Sequence, residues 1–382
     1  MFKRVTLTVA VLFLITSCSK QLQNTTPTPQ ATYSLTVSYG SGSGQYATGD
    51  TTYVFSDPPT TTQVFDGWAG DTANLVSPHE WRSAVKMPAL NIRVTATYKT
   101  VPSIAFTNTV INGSQVYYYI PTNYRGIILP YHGTGGSAVN WAAGQAENMA
   151  FCKYAAANGY AIVITESKDR VNKKWDLSQT GNVDIANVDA ILKSLQTTGV
   201  VAVGKPLYGV GMSDGSAFCS VITYLKGYKA GALFCYGGIQ KVFPLSSVPI
   251  IWNMATMDIT DDPNRQTSAV ANYNVLKGRG IPCTYYVNEP TPIYADRFSV
   301  NQGIGSNGSA SIYNALKGAG YLNTKGFLKT DPAVDASWQA IIPAPYNTLA
   351  QQAIEDQLYV AFAQHKFYKD SNYRTIAFFN RF

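Results

Sequence analysis

"PLYGVGMSDGSAF", residues 206–218, runs an apolar stretch into a serine fenced by glycines and leaves it on small residues. Gly211-Met212-Ser213-Asp214-Gly215 is a G-x-S-x-G pentapeptide. The pentapeptide is a weak signal in a chain this rich in glycine, and its weight comes from a strand before it and a helix after it. Glycines two positions either side of the serine let strand and helix approach closely enough for a tight bend. The bend lifts the Ser213 hydroxyl into the open at a helix N-terminus. A hydroxyl so placed is a poor nucleophile until a base removes its proton, so the rest of the chain has to supply one.

The context fits. From Val101 onward apolar runs alternate with segments of helical spacing: "GIILPYHG" (126–133), "YAIVITES" (160–167) and "KPLYGVGM" (205–212) read as buried strands, while residues 138–159, 183–199 and 213–227 read as helices closed by glycines. "KAGALFCYGG", "VPIIWNMATMD" and "IPCTYYVN" add three strands, with a helix over 266–280 before the last. The alternation predicts an α/β domain, a mostly parallel sheet flanked by helices, which binds ligands beyond the carboxyl ends of its strands.

Three histidines narrow the search for a base. His79 lies in an N-terminal β region, His132 in "LPYHGTGG" directly after a central strand, and His365 in "VAFAQHKFYKDSNYRTIAFF" near the C-terminus. With these in view, residues 100–382 resemble an α/β-hydrolase, nearest to secreted esterases of the polyhydroxybutyrate-depolymerase and feruloyl-esterase kind. The resemblance implies a Ser-Asp-His triad in that chain order, with Ser213 as nucleophile and His365 as base ahead of a terminal helix. It also implies an oxyanion hole from the amide of Asp214 and that of Gly133 or Thr134, with His132 in the oxyanion loop rather than a second base. For the acid, "WNMATMDITDDP" occupies the expected place without the family's "HG". Asp258 stands at the strand end, and Asp261 and Asp262 in the same turn remain alternatives.

One departure follows the last strand. Residues 288–345 form a long insertion rich in Gly, Pro and aromatics, of the kind that builds lids or substrate platforms. Its Tyr294, Phe298, Tyr321 and Trp338 are read chiefly as the insertion's own small core.

Residues 32–99 read as a separate small all-β unit: alternating strands, the turn cluster "SGSGQYATGD", and "QVFDGWAGD" with no helical period. The unit resembles the bacterial repeat domain related to internalin B-repeats, which implies core packing for Phe65 and Trp68, turns shaped by Gly67 and Gly70, and a spacer or adhesion role. Ahead of it, residues 1–17 have a basic start and an apolar run, as a secretory signal does. "ITSC" resembles a lipobox, implying acylation of Cys18 and membrane attachment through the lipid, with residues 18–31 as a tether. The resemblance to Gram-negative lipoproteins implies a place in the cell envelope at the outer membrane.

Composition bounds the rest. The 382 residues are 46% hydrophobic and 13% charged, which argues against disorder and coiled coil. Loss of Lys3 and Arg4 with a signal takes the formal charge from +7 to +5 without leaving a basic run, which argues against nucleic acid as a partner. Cys152, Cys219, Cys235 and Cys283 match no metal or disulfide spacing and are read as buried free thiols. No metal or dissociable cofactor is implied. The expected activity is hydrolysis of carboxylic esters, with acyl groups on a polysaccharide or a polyester as candidate substrates. The rival reading is a surface-binding lipoprotein with a degenerate hydrolase domain, suggested by the missing "HG" and the displaced histidine.

Overall fold

The computed structural model describes residues 30–101, 103–259 and 262–382. Residues 1–17, read as a signal, Cys18, most of the stretch 18–31 read as a tether, and Asp261 lie outside the described residues.

Eight strands form one sheet: β1 (Thr107–Ile111), β2 (Ser114–Tyr119), β3 (Gly126–Tyr131), β4 (Tyr160–Ile164), β5 (Leu207–Met212), β6 (Ala230–Phe234), β7 (Ile250–Ala255) and β8 (Cys283–Asn288). Their spatial order is 1-2-4-3-5-6-7-8. β1, β2 and β4 pair antiparallel, and every pairing from β4 through β3 to β8 is parallel. That order with those directions is the α/β-hydrolase fold. β3, β4, β6 and β7 are buried at every position, which is why they read as unbroken apolar runs rather than alternating ones.

Helices cover both faces. On one, α2 (Val183–Thr197), α3 (Asp214–Lys226) and α4 (Arg265–Gly278) bring Val188, Ile191, Phe218, Ile222 and Leu276 into a common cluster with Leu129, Leu233 and Trp252. On the other, α1 (Ala146–Ala157) and the C-terminal helix pack Phe151, Ala155, Ile376 and Phe379 on Ile128, Ile162 and Val210. Local chemistry sets the helix ends: the Asn182 side chain accepts from the Ile185 amide at 2.8 Å, and Gly227 closes α3 in a left-handed conformation. The helix expected over 138–159 divides. Residues 140–144 make a π-turn and Gln145 is extended before α1 begins. The wide turn seats Trp141, fully buried against Phe151 and Phe367.

The insertion after β8 has its own core, in which Phe298, Tyr321 and Trp338 are buried with Ile312 and Leu316. Ile354, Leu358 and Ala361 of the helix Gln351–Ala361 join it, so the packed unit runs past residue 345. Tyr294 behaves differently. It leaves that core and stacks on Phe55 of the N-terminal strands, ring centroids 4.0 Å apart.

The N-terminal strands make a four-stranded sheet (Gly44–Ala47, Thr32–Ser38, Ile92–Thr100, Gln63–Gly70) and a three-stranded one (Gly40–Ser41, Thr51–Ser56, Arg82–Lys86). Phe65 and Trp68 are buried between them. Gly70 has φ +93°, and a Cβ there would lie 2.4 Å from the Arg93 carbonyl oxygen, so glycine is required. This unit is seated against the α/β domain. Trp81 Nε1 and Arg82 Nε each reach Asp370 at 2.5 Å, Arg82 also bonds Asn288, and Arg374 pairs with Glu80 at 3.1 Å. His79 stacks on Tyr373 there, far from any catalytic role.

Candidate active site

The serine turn is built by its neighbours. Ser213 ends β5 and starts α3 with φ 58° and ψ −122°, a backbone region disfavoured for any residue with a Cβ. What holds it there is a local set of hydrogen bonds. Ser213 N donates to Phe234 O at 2.9 Å, while Ser216 Oγ donates to Gly211 O and accepts from Phe234 N. The two flanking glycines are needed for closeness, not for their own φ. A Cβ on Gly211 would meet Gly215 O at 2.2 Å, and one on Gly215 would meet Tyr131 O at 2.2 Å. Strand, turn and helix therefore touch backbone to backbone.

Across from it stands His365, in the loop between Gln351–Ala361 and the C-terminal helix Asn372–Phe379. Ser213 Oγ and His365 Nε2 are 2.8 Å apart, and His365 Nδ1 lies 2.8 Å from Asp258 Oδ2. Those partners assign one tautomer: the Asp258 carboxylate accepts the Nδ1 proton, and Nε2 is left to accept from the serine hydroxyl. Asp258 is 2% exposed, whereas the His365 side chain is 25% exposed, so the chain of bonds runs from a buried acid outward to solvent. Asp262 does not reach the histidine. Its Oδ1 accepts from Asn264 N and its carbonyl from Arg265 N, at the entry to α4.

The loop after β3 closes the other side. A Cβ on Gly133 would come 3.2 Å from Ser213 Cβ and 3.9 Å from its Oγ, which puts the Gly133 backbone against the hydroxyl. Among the described residues, no protein acceptor takes the amides of Gly133, Thr134 or Asp214. Asp214 is at the first position of α3, where the amide has no partner within the helix, and its side chain turns away to accept from Trp175 N at 2.8 Å.

His132 is not a second base. Its Nδ1 donates to Gly133 O at 2.8 Å and its Nε2 accepts from Ser167 N at 3.2 Å, so both ring nitrogens are spent on the backbone. Burial lowers its pKa to about 4, and the ring stays neutral. Trp175 Nε1 donates to the His132 carbonyl, adding a second brace to the loop.

Sequence reasoning passed over Arg265. The first residue of α4, it is buried, and its Nη1 donates to Asp258 Oδ1 and stands against His365 Nδ1. The signal was an arginine closing the acid-crowded turn "DITDDPNR". Arg265 also borders a cavity of about 800 Å³ that includes Tyr236, Gln240 and Asp262. Cys235 was read as an inert thiol, yet its sulfur lies with Asp258 and His365 in a group of donors within 4.8 Å of one another. The thiol bonds to Lys366 O, and burial pushes its pKa well above the ordinary value, so it remains a thiol and a poor metal ligand. The other three described cysteines are free too.

No family model and no curated protein matches the chain. Among solved structures it is similar to an acetyl xylan esterase from Aspergillus awamori, at 13% identity and TM-score 0.37 over 46% of this chain and 81% of that one. It is similar to an esterase of Pyrococcus furiosus at 12% identity and TM-score 0.37, over 48% and 83% of the two chains. An acylaminoacyl peptidase of Pyrococcus horikoshii aligns at 12% identity and TM-score 0.36, over 62% of this chain and 43% of that one. The fold class rests on the chain's own strand order and directions.

Proposed function

We propose that this chain is a serine esterase with Ser213 as nucleophile, His365 as base and Asp258 as the orienting acid. The observation that carries the reading is the continuous hydrogen-bonded line Ser213–His365–Asp258, anchored at a serine of positive φ. In this mechanism Ser213 Oγ attacks the ester carbonyl carbon as its proton passes to His365 Nε2. The ester C–O bond breaks, and the alcohol leaves with the proton that the imidazolium returns. Water then attacks the acyl-serine, gives a proton to His365, and frees the acid as Ser213 regains its hydrogen. Negative charge on the carbonyl oxygen is met by the amides of Asp214 and of Gly133 or Thr134.

The rival reading, a binding protein with a degenerate domain, drew on the displaced histidine. That feature loses its force when the imidazole sits 2.8 Å from the hydroxyl. Export, acylation at Cys18, a cell-envelope location at the outer membrane, and esters borne on a polymer belong to the same proposal and rest on the sequence signals alone. The test is hydrolysis of a short-chain nitrophenyl ester by the whole chain and by Ser213→Ala, with fluorophosphonate labelling. The substitution is expected to cost at least about 10³-fold in kcat and abolish labelling. Equal rates in the two proteins would remove the enzyme from consideration.

A further inference from the structure

A second cavity, of about 800 Å³, opens where the N-terminal unit, α1, the insertion and the C-terminal helix meet, and Ser213 is not part of its wall. We propose that it binds an acidic sugar, a hydroxyl-rich ring carrying a carboxylate. The leading observation is Arg297. It lines the cavity and is 3% exposed, yet its Nε and Nη2 have no hydrogen-bond partner, and among the described residues it makes no ion pair. Its guanidinium lies over the Trp81 ring at 5.5 Å. Asp370 is close enough for the Arg297 charge to lower its pKa, but its oxygens bond Trp81 Nε1 and Arg82 Nε and leave Nε and Nη2 of Arg297 without a hydrogen bond. A buried guanidinium left this way is costly to the empty fold.

The two unpaired donors define the ligand group. Nε and Nη2 form the side-on fork of an arginine, whose two parallel N–H bonds match the two oxygens of a carboxylate. Lys369, also on the wall, holds its Nζ 4.4 Å from the centre of the same Trp81 ring, with no hydrogen bond or ion pair among the described residues. Burial lowers the Lys369 pKa against the opposing pull of Glu147 and Asp370, and a further anion in the cavity would add to that pull. Asp370 lies within charge range of both cations and Glu147 of Lys369, yet Nε and Nη2 of Arg297 keep no hydrogen-bond partner and stay open to the cavity.

The rest of the wall selects a sugar over a flat aromatic acid. Asp57 and Asp296 line the cavity and lie close enough that Asp296 adds to the burial that raises Asp57. Neighbouring carboxylates repel a second anion but accept from hydroxyl groups. Glu80, raised to about 8 by burial and paired with Arg374, adds little to that repulsion. Tyr154, Tyr294 and the stacked pair His79 and Tyr373 give apolar surface for a ring face. A uronate satisfies all three requirements at once.

The test uses the whole chain, with binding followed by calorimetry and by tryptophan fluorescence. Glucuronate is expected to bind at least tenfold more tightly than methyl glucoside, benzoate or inorganic phosphate. Arg297→Gln is expected to lose at least tenfold in glucuronate affinity, and Lys369→Gln to lose a smaller factor. Ser213→Ala should bind as the native chain does, which separates this site from the esterase reading. The proposal fails if the native chain does not bind glucuronate, if benzoate, phosphate or the neutral glucoside binds as tightly, or if Arg297→Gln keeps native affinity. Should that variant not fold, the ranking of the four ligands on the native chain decides alone.

Discussion

The serine turn and the histidine loop meet in one 2.8 Å hydrogen bond, yet they are held in opposite ways. The turn is a local object. Five consecutive residues, two neighbouring strands and one hydroxyl, Ser216 Oγ, fix it through backbone contacts too close for a Cβ. The histidine loop is assembled from afar. Ala363 O accepts from Met257 N, Gln364 bonds Asp331 of the insertion, Tyr368 OH reaches Met254 O, and Lys369 N donates to Glu147 of α1. One residue further, Asp370 is gripped by Trp81 and Arg82 of the N-terminal unit. Ser213 is thus secured by packing within the sheet, and His365 by polar contacts that span the whole molecule.

The largest expected effect lies at the join between the two. Asp258→Asn keeps the shape but removes the charge and sets an amide donor beside Nδ1, favouring the wrong imidazole tautomer, and kcat should fall about 10⁴-fold with KM little changed. A loss under tenfold would mean that the imidazole is oriented by something else. Next comes the turn. Gly215→Ala drives a methyl into the Tyr131 carbonyl, and a destabilisation of about 1–3 kcal/mol is expected together with loss of fluorophosphonate labelling at Ser213. Gly303→Ala, where nothing lies within 4 Å, is the control and should match the native chain in a denaturant titration.

For the histidine side, Arg82→Ala leaves Asp370 short of its ion-pair partner at a distance from the reacting atoms. If the loop depends on the N-terminal unit, kcat falls about ten- to a hundredfold while KM holds. Unchanged kcat would erase the contrast drawn between the two regions.

A last comparison, read on stability and not on turnover, separates the regions by pH. His132, beside the serine, has its folded pKa lowered from 6.5 to about 4, so the unfolded chain binds more protons in that window. The stability is present above pH 6.5 and drains as pH falls toward 4, by on the order of 3 kcal/mol. Glu80, at the junction, has the opposite sign. Its folded pKa is raised from 4.5 to about 8, so stability is lost as pH rises through that range. Melting temperatures of His132→Asn and Glu80→Gln across pH should flatten the acid and alkaline limbs respectively. A variant that flattens the wrong limb, or neither, contradicts the assignment.

Much of the site was legible because it is written locally. Ser213, its flanking glycines and the loop "HGTGG" sit within single strand–turn segments, so local pattern together with the family resemblance singles them out. His365 and Asp258 were reached through the resemblance to the α/β-hydrolases, with Asp261 and Asp262 left as alternatives to Asp258. Arg265 escaped notice because its role depends on α4 folding back over Asp258, which no local pattern encodes. Tyr294 escaped for the same kind of reason. An aromatic in a long insertion looks like that insertion's core, and only the docked N-terminal unit gives it Phe55 to stack on.

The order of strands and helices, the bend at Ser213 and the burial of the central strands are consequences of short-range sterics and apolar periodicity, and the chain carries them in its sequence. The reach of His365 to Ser213 across 152 positions, the seating of the N-terminal unit on Asp370 and the stranding of Arg297 in a cavity were decided by tertiary packing. Long-range partners are chosen by whichever surfaces meet when the sheet, the insertion and the N-terminal unit close on one another, and those meetings leave no period or spacing in the sequence.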